Sequence, residues 1–307
     1  MTIPSTLTSL TSRPSRQGVS EKRFSSGLLA GACGLLIVGL GGWWFTFALS
    51  LIIHLGLLEF FRLTQFKGIR PAAKTTLVVC HLLLIVTMWG SGGGLPANLA
   101  AAIVPVSSAI ICGWLLMQPV NSTIADIAAS IFGLFYLGFL PSHWLLLREL
   151  GASAIDLTPA LEKSPLPITP GMALTLMACL IIVATDIGSY LIGRNIGRYP
   201  LSSISPGKTV EGAIGGVTCA MIFGAYGGKI LGWEHGYLVG ATLGILIAIF
   251  ALVGDLTESM MKRDAGVKDS GDVIPGHGGI LDRIDSYLFT PAVVFYFVTL
   301  VVPILKK

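Results

Sequence analysis

The sequence predicts an all-α, polytopic integral membrane protein with about nine transmembrane helices, and two observations lead to this fold class. The 307 residues are 53% hydrophobic and only 12% charged, and the mean hydropathy is +0.80. The apolar residues also form many runs of about 20 residues, the length that an α-helix needs to cross the hydrocarbon core of a bilayer. Backbone polar groups in that core must be satisfied within the segment, so the runs are expected to be helical. This composition argues against a soluble globular protein.

Nine apolar runs can be bounded along the chain. The first two belong to one long apolar stretch that Gly39, Gly41 and Gly42 interrupt, a pattern that predicts a tight helical hairpin. The predicted spans are residues 25–40, 43–63, 75–90, 95–117, 124–147, 171–192, 213–231, 237–255 and 287–305.

Residues 1–24 differ in composition from the rest of the chain. Nine of the first 20 residues are Ser or Thr, and the first acidic residue is Glu21. The stretch has no convincing amphipathic helix, so we expect a disordered tail, with an organellar transit peptide as the alternative. The chain then divides into this tail, a scaffold of N-terminal membrane helices (25–165) and a membrane domain (166–307) that carries the charged motifs.

The distribution of the 20 Lys and Arg residues predicts the orientation in the membrane. With the N-terminus inside, fifteen of the 20 fall in inner segments. Cytoplasmic loops of membrane proteins are enriched in Lys and Arg, so we expect the N-terminus inside and the C-terminus outside. The five that would lie outside are Arg148, Lys163, Lys229, Lys306 and Lys307.

Ionisable residues concentrate in one segment, 255–285. It holds eleven of the 36 Asp, Glu, Lys and Arg residues of the chain, and ionisable groups near a bilayer are costly enough to indicate function. Asp255 and Glu258 are three residues apart, which places them on one face of a helix. Asp282 and Asp285 repeat this spacing on the opening turn of the last helix. Two carboxylate pairs therefore bracket the segment.

The residues between these pairs suit phosphate binding. Ser259 and Lys262 continue the helix face of the first pair, Arg263 and Lys268 add positive charge, and glycines surround His277. Magnesium prefers a few carboxylates together with substrate phosphates, and phosphate oxygens are bound by Lys and Arg. The pattern predicts metal-assisted phosphoryl or nucleotidyl transfer, with an ordinary salt-bridged loop as the alternative.

A second segment places an acid inside a predicted helix and a basic loop just beyond it. Asp186 lies in the span 171–192, and the loop that carries Lys208, Thr209 and Glu211 could hold a triphosphate. The G-K-T sequence invites comparison with a P-loop. The pattern G-x-x-x-x-G-K-[ST] fails, however, because Ser202 stands where its first glycine belongs and membrane helices surround it.

These segments resemble the signature of the phosphatidate cytidylyltransferases, also called CDP-diacylglycerol synthases. The residues that carry the resemblance are S-x-x-K-R-x-x-x-x-K-D-x-x-x-x-x-P-G-H-G-G-x-x-D-R-x-D from Ser259, S-P-x-K-T-x-E-G from Ser205 and D-x-x-x-Y-x-x-G-R from Asp186. The match is specific over residues 186–286. The resemblance implies an enzyme that converts CTP and phosphatidate into CDP-diacylglycerol and pyrophosphate with magnesium. Irregular backbone at membrane depth must be covered by protein or line a watery cavity, so we expect the site in a polar cavity that faces the cytoplasm and opens sideways to lipid.

The resemblance also implies roles for single residues. We expect Asp255 and Asp282 to bind magnesium, with Asp285 and Glu258 as further ligands or neighbours. The expected catalytic residues are Asp255, Lys262, Arg263, Asp282 and Asp285. The expected substrate-binding residues are Asp186, Lys208, Thr209, Glu211, Ser259, Lys268, Asp269, His277 and Arg283. A lipid phosphate is already anionic near neutral pH, so no strong general base is required.

Two acidic residues of the scaffold have separate interpretations. Glu59, in the span 43–63, either reaches the charged site or pairs locally with Arg62 at a spacing of three residues. Asp126 follows the sequence Asn-Ser-Thr at the start of a predicted helix, a pattern that indicates helix capping.

Two other functions remain as alternatives. A CTP-dependent polyprenol or phytol kinase would use a lipid alcohol as acceptor, and an ion-coupled transporter would use an intramembrane acid such as Asp186. The expected partners are CTP, phosphatidate and membrane lipid but no nucleic acid, and a homodimer is left open. We expect the chain in a bacterial inner membrane, with a plastid or another organellar membrane as the alternative.

Overall fold

The computed structural model describes residues 31–94, 98–151, 167–271 and 278–305, and most of these residues are helical. The helices are α1 (Gly31–Leu40), α2 (Gly42–Phe66), α3 (Ala73–Ser91), α4 (Asn98–Leu116), α5 (Ile124–Arg148), α6 (Pro170–Ile196), α7 (Val210–Ile230), α8 (Gly236–Asp264) and α9 (Leu281–Leu305). The predicted all-α class is confirmed.

Seven of these helices are long and apolar enough to cross a bilayer, namely α2, α3 and α5 to α9. The other two predicted spans coincide with shorter apolar helices, Gly31–Leu40 and Ala102–Leu116. The described residues therefore form a polytopic helical membrane protein, whereas the count of nine crossings and the orientation stay predictions. The tail predicted for residues 1–24 lies outside the described residues.

The predicted break between the first two helices lies at Gly41, whereas their packing as a tight hairpin stays a prediction. Gly41 separates α1 from α2 and has φ of 62°, a left-handed conformation that glycine adopts at little cost. The buried Arg148 side chain closes this turn, since its Nε donates to the Val38 carbonyl (2.7 Å) and one Nη to the Gly39 carbonyl (3.2 Å). These carbonyls lie at the end of α1, where helical partners are lacking.

Threonine residues cap the N-termini of three helices. Thr123 and Asp126 form a capping box at α5, with Asp126 Oδ2 accepting from the Thr123 backbone N–H (2.7 Å) and Thr123 Oγ1 accepting from the Asp126 N–H (3.2 Å). The capping role predicted for Asp126 is confirmed. Thr169 caps α6, and Thr209 caps α7 by accepting from a backbone N–H at 3.1 Å.

Glycines let α7 and α8 pack with their backbones in contact. A Cβ atom on Gly224 or Gly240 would collide with the backbone of the opposite helix, and the same holds for Gly228 and Gly236. Lipid supplies no hydrophobic drive for helix association, so such close van der Waals packing between small residues takes its place. Together with α6, which packs closely on α7, these helices hold the charged segments at one end of the bundle.

The last helix is broken near its start. α9 opens with one α-helical stretch (Leu281–Ile284), continues as a 3₁₀ turn (Asp285–Tyr287) and resumes as α-helix at Thr290. Gly254 of α8 packs directly against the Asp285 carbonyl, in a space that any Cβ would fill. The 3₁₀ turn therefore lies on α8, directly beside Asp255.

Contacts cross the predicted boundary between the scaffold and the C-terminal membrane domain. Trp144 Nε1 of α5 donates to the Tyr287 carbonyl (3.1 Å), and Lys67 after α2 pairs with Asp264 at the end of α8 (3.1 Å). The ends of α2 and α8 therefore lie on the same side of the bundle. The division of the chain into these two parts stays a prediction.

The glycine packing predicts a large difference between two leucine substitutions. Gly240→Leu should lower stability by about 1–3 kcal/mol or more, since the side chain has no room between α7 and α8. Gly113→Leu is the control, because nothing lies within 4 Å of a Cβ at Gly113. Thermal unfolding in detergent should show a lower midpoint only for Gly240→Leu, and equal midpoints would contradict the proposed packing.

Candidate active site

A polar cavity of about 500 Å³ opens between α6, α7, α8 and the start of α9. Its volume lies within the range of small-molecule sites. Seven of the predicted site residues line it: Asp186, Lys208, Thr209, Asp255, Asp282, Arg283 and Asp285. The predicted charged segments therefore come together in one cavity, although Lys208 and Asp255, for example, are 47 residues apart in the chain.

A short hairpin-like loop holds Lys208 over α8. The Leu201 N–H donates to the Lys208 carbonyl (2.8 Å) and the Val210 N–H to the Tyr199 carbonyl (2.9 Å), next to an isolated antiparallel bridge. From this position the Lys208 ammonium forms an ion pair with Asp255. The loop thus fixes a cation inside the cavity and directly ahead of the N-terminus of α7.

Three carboxylates share this part of the cavity. Asp186 of α6 and Asp285 of α9 each lie within electrostatic range of Asp255 and of Lys208. One lysine faces three acids here, so this part of the cavity has an excess of negative charge. A bound cation would offset that excess.

The same carboxylates are the residues that could hold a metal. Among the described residues, no three His, Cys, Asp or Glu side chains form a preassembled metal cluster. Magnesium does not require one, because it is usually bound by one or two carboxylates and completed by waters and substrate phosphates. The donor chemistry of Asp186, Asp255 and Asp285 therefore fits a magnesium ion that arrives with a phosphate ligand.

A second group of charges is buried beside the cavity. Lys262 Nζ lies 2.7 Å from Glu258 Oε2 and 2.5 Å from Asp282 Oδ1, and Glu258 is only 1% exposed. The other oxygen of Glu258 has no hydrogen-bond partner within the described ranges. Lys262 therefore neutralises protein carboxylates in this structure. Contact of Lys262 with phosphate stays a prediction. The same holds for the metal contacts expected of Glu258 and Asp282.

Asp282 connects this group to the charged loop between α8 and α9. Its Oδ2 accepts from the backbone N–H groups of Ser270 (3.1 Å) and Gly279 (3.0 Å), and it lies 3.1 Å from Ser270 Oγ. Ser270 and Gly279 belong to the two described ends of this loop. One carboxylate therefore joins both ends of the loop to α8 and α9.

Glu59 of α2 supports the same loop from the scaffold. It is 4% exposed, and it accepts from Ser270 Oγ (2.8 Å) and from the N–H groups of Ile280 (2.9 Å) and Leu281 (2.8 Å). No ion pair between Glu59 and Arg62 occurs in the part of the chain that the structure describes. Of the two interpretations of Glu59, the structure therefore supports contact with the charged segment.

Seven other predicted residues do not line the cavity: Glu211, Glu258, Ser259, Lys262, Arg263, Lys268 and Asp269. Arg263, Lys268 and Asp269 are exposed, and Ser259 is buried. Glu211 accepts from the backbone N–H groups of Arg198 (3.0 Å) and Tyr199 (3.3 Å), so it fixes the loop that carries Lys208. His277 lies outside the described residues. Direct contact with substrate stays a prediction for all of them.

The cavity also contains residues to which the sequence analysis gave no role. Ser189, Tyr190, Gly193 and Arg194 of α6 line it beside Asp186. They follow Asp186 at helical spacings, so extending that helix face by one or two turns would have identified them. The resemblance already contained Tyr190 and Arg194 but did not say what they contact.

Comparisons with known proteins show the family to which this chain is related. A family model described as "Cytidylyltransferase family" matches residues 21–301. A protein of Synechocystis sp. named phosphatidate cytidylyltransferase is 46% identical over 296 residues, covering 93% of this chain and 99% of that protein. An Arabidopsis thaliana protein named phosphatidate cytidylyltransferase 4, chloroplastic, is 38% identical over 292 residues, covering 91% of this chain and 73% of that protein.

The contacts of Glu59 predict that its amide variant loosens the charged loop. In Glu59→Gln one acceptor oxygen becomes a donor that faces buried donors, at a cost of about 1–3 kcal/mol. Trypsin should then cut after the exposed Lys268 several-fold faster than in the unaltered protein.

The control for this experiment is Glu149→Gln. Within the described residues, the Glu149 side chain accepts one hydrogen bond, from the Gly42 N–H (3.2 Å) at the opposite end of α2. Cleavage after Lys268 should be unchanged in this variant. Equal cleavage rates for Glu59→Gln and the unaltered protein would show that Glu59 does not hold the loop.

Proposed function

The chain belongs to the cytidylyltransferase family, and we propose that it transfers the cytidylyl group of CTP to phosphatidate, giving CDP-diacylglycerol and pyrophosphate. The observation that carries this proposal is the cavity in which Lys208, Asp255 and Asp285 meet from different parts of the chain. The printed names of the relatives from Synechocystis sp. and A. thaliana support the same activity.

The proposed reaction places two polyanions in one cavity. An oxygen of the lipid phosphate attacks the α-phosphorus of CTP, the bond from that phosphorus to the oxygen bridging to the β-phosphorus breaks, and pyrophosphate leaves with that oxygen. The nucleophile is already anionic, so the protein must chiefly align the two phosphates and offset their charge. A cavity that carries both carboxylates and cations meets these needs.

The nucleotide phosphates are assigned to the side of the cavity formed by Lys208 and the start of α7. Thr209 and Gly212 line the cavity there, so the positive end of the α7 dipole faces it. Lys208 adds a full positive charge at the same place. Arg283 lines the cavity from α9 and would contact the same phosphates.

Magnesium is proposed to bind to Asp255 and Asp285, with Asp186 beside them. When bound, the ion would offset charge on the phosphates and make the α-phosphorus more electrophilic. Gly254 supports the assignment, because it lets the Asp285 backbone rest on α8 next to Asp255. Asp282, whose oxygens already accept from Lys262, Ser270 and Gly279, holds the loop in this proposal.

The bilayer determines how the substrates would reach this site. CTP is soluble in water and phosphatidate is a lipid, so the cavity must face the compartment that contains CTP and must also open toward the leaflet. We propose the cytoplasmic side of a bacterial inner membrane, or the equivalent side of a plastid membrane. The positive-inside distribution of Lys and Arg supports this orientation.

A direct assay tests the proposed function. Purified protein in detergent should convert labelled CTP and phosphatidate into a liponucleotide and one equivalent of pyrophosphate, and chelation of magnesium should abolish the reaction. Transfer of the γ-phosphate to a polyprenol, with release of CDP, would instead indicate the lipid kinase. Movement of an ion or solute without CTP turnover would indicate a transporter.

Asp255 should be essential for that activity. Asp255→Asn removes the charge of the proposed magnesium ligand and should lower kcat by about 100-fold or more at any CTP concentration. Asp264→Asn is the matched control, since it makes the same change on the same helix, at an exposed ion pair of little energetic weight. Similar kcat values for the two variants would contradict the assignment of Asp255.

A further inference from the structure

Three basic residues of the described part of the chain line the cavity: Arg194, Lys208 and Arg283. Lys208 pairs with Asp255. Arg194, by contrast, takes part in no ion pair between described residues. Its described partner is Tyr190, one turn earlier on α6. Arg194 therefore brings to the cavity a positive charge that forms no ion pair with a carboxylate of the described residues.

Tyr190 holds the Arg194 guanidinium in a defined place. Arg194 Nη1 donates to the Tyr190 hydroxyl at 2.9 Å, and the guanidinium carbon lies 5.9 Å from the centre of the tyrosine ring. A guanidinium has five N–H donors, and this contact uses one of them. Arg194 makes no other side-chain hydrogen bond to a described residue, so its remaining donors can form the paired hydrogen bonds that arginine makes with phosphate oxygens.

The position of this pair at the edge of the cavity points to a lipid ligand. On the same part of α6, Ile187 is 54%, Tyr190 59% and Leu191 50% exposed, and on neighbouring α7 Ile214 is 62% exposed. Large apolar side chains exposed on membrane helices contact acyl chains. Arg194 lies in the last turn of α6, where the charge of a long side chain reaches the headgroup layer. The polar cavity and the lipid-facing surface therefore meet at Arg194.

We propose that Arg194, held by Tyr190, binds the phosphate of the lipid substrate at the side of the cavity that opens to the bilayer. This inference rests on the proposed function and deepens it, because it assigns the two polyanions to different cations. CTP is bound near Lys208 and the start of α7, and the lipid phosphate is bound at Arg194. The two phosphates then meet over Asp255 and Asp285.

This site favours a phosphomonoester over the phosphodiesters of ordinary membrane lipids. A monoester presents three terminal oxygens and up to two negative charges, so it can accept a forked pair of bonds and leave one oxygen for attack. A phosphodiester has two terminal oxygens and one charge. Arg194 therefore selects phosphatidate from a large excess of bilayer phospholipid through charge and oxygen count.

Steady-state kinetics in mixed micelles test this assignment. Arg194→Ala should raise the phosphatidate surface fraction at half-maximal rate by about tenfold or more, while KM for CTP stays within about twofold. For Arg194→Lys this surface fraction should lie between the values of the unaltered protein and of Arg194→Ala, because an ammonium keeps the charge but cannot form the forked pair of hydrogen bonds. Tyr190→Phe should give a smaller rise of about two- to threefold.

Arg198→Ala is the matched control for these variants. Arg198 is an exposed arginine four residues beyond Arg194, and its side chain does not line the cavity. Its loss should leave both kinetic constants unchanged. A rise in KM for CTP alone in Arg194→Ala would place Arg194 at the nucleotide instead, and unchanged constants for both substrates would overturn the proposal.

A binding measurement without turnover separates this proposal from the proposed function. Phosphatidate micelles without CTP should raise the thermal midpoint of the unaltered protein but not of Arg194→Ala, while CTP with magnesium should stabilise both. Addition of glycerol 3-phosphate or inorganic phosphate distinguishes a lipid headgroup site from a general phosphate site, since only the latter would give the same stabilisation.

Failure of the proposed reaction can be distinguished from failure of the lipid site at Arg194. If the unaltered protein makes no liponucleotide but phosphatidate still stabilises it through Arg194, the lipid site stands and the proposed reaction does not. If Arg194→Ala loses stabilisation by CTP and also unfolds at a lower temperature without ligand, the variant is misfolded, and Arg194→Lys decides the question. Loss of stabilisation by CTP with an unchanged midpoint of the unliganded variant would place Arg194 at the nucleotide and overturn the proposal. Equal stabilisation of the unaltered protein and Arg194→Lys by phosphatidate, with equal phosphatidate kinetics, would then reject the forked contact.

Discussion

The ion pair between Lys262 and Asp282 is the interaction on which the rest of the site depends. It joins α8 to α9 beside the cavity, and Asp282 also accepts bonds from both described ends of the charged loop. Through Ser270 the same network reaches Glu59 of α2. A buried ion pair adds little net stability, but removing one partner leaves a buried charge at a cost of about 3–5 kcal/mol. The main effect of this network is therefore to fix the geometry of the site, and its net contribution to the stability of the fold is small.

Close helix packing makes this geometry available at the end of a membrane bundle. The glycine contacts between α7 and α8 bring two backbones together where lipid gives no hydrophobic drive. The ends of α6, α7 and α8 consequently converge, and Gly254 places the 3₁₀ turn of α9 against α8. The carboxylates of Asp255 and Asp285 are neighbours because of backbone packing, although 30 residues separate them.

The charged residues of the chain divide into two groups with different tasks. Glu59, Glu258, Lys262 and Asp282 are mostly buried and bind to protein partners. Asp186, Lys208, Asp255 and Asp285 face the cavity, where substrates and a metal would contribute the missing charge. Both groups satisfy the rule that charge near a bilayer requires a partner. The first group finds its partners within the protein. In the second group Lys208 pairs with Asp255, and ligands would balance the remaining charge.

The sequence by itself determined the features that depend on neighbouring residues. Apolar run length determined the all-α membrane class, glycines marked the break between α1 and α2, and the spacing of Thr123 and Asp126 determined a helix cap. Carboxylates at helical spacing also marked Asp255 and Asp285 as candidate site residues, and both line the cavity. All these features could be predicted because helix period and turn chemistry depend on residues close together in the chain.

Only the tertiary structure decided which charges pair with one another. Glu59 binds groups more than 200 residues away, Lys208 pairs with Asp255 across 47 residues, and Lys262 pairs with Asp282 across 20 residues. Spacing along one helix cannot reveal such partners. They are determined by how closely separate helices pack and where their ends meet, and a buried charge then pairs with whatever group that packing brings within reach.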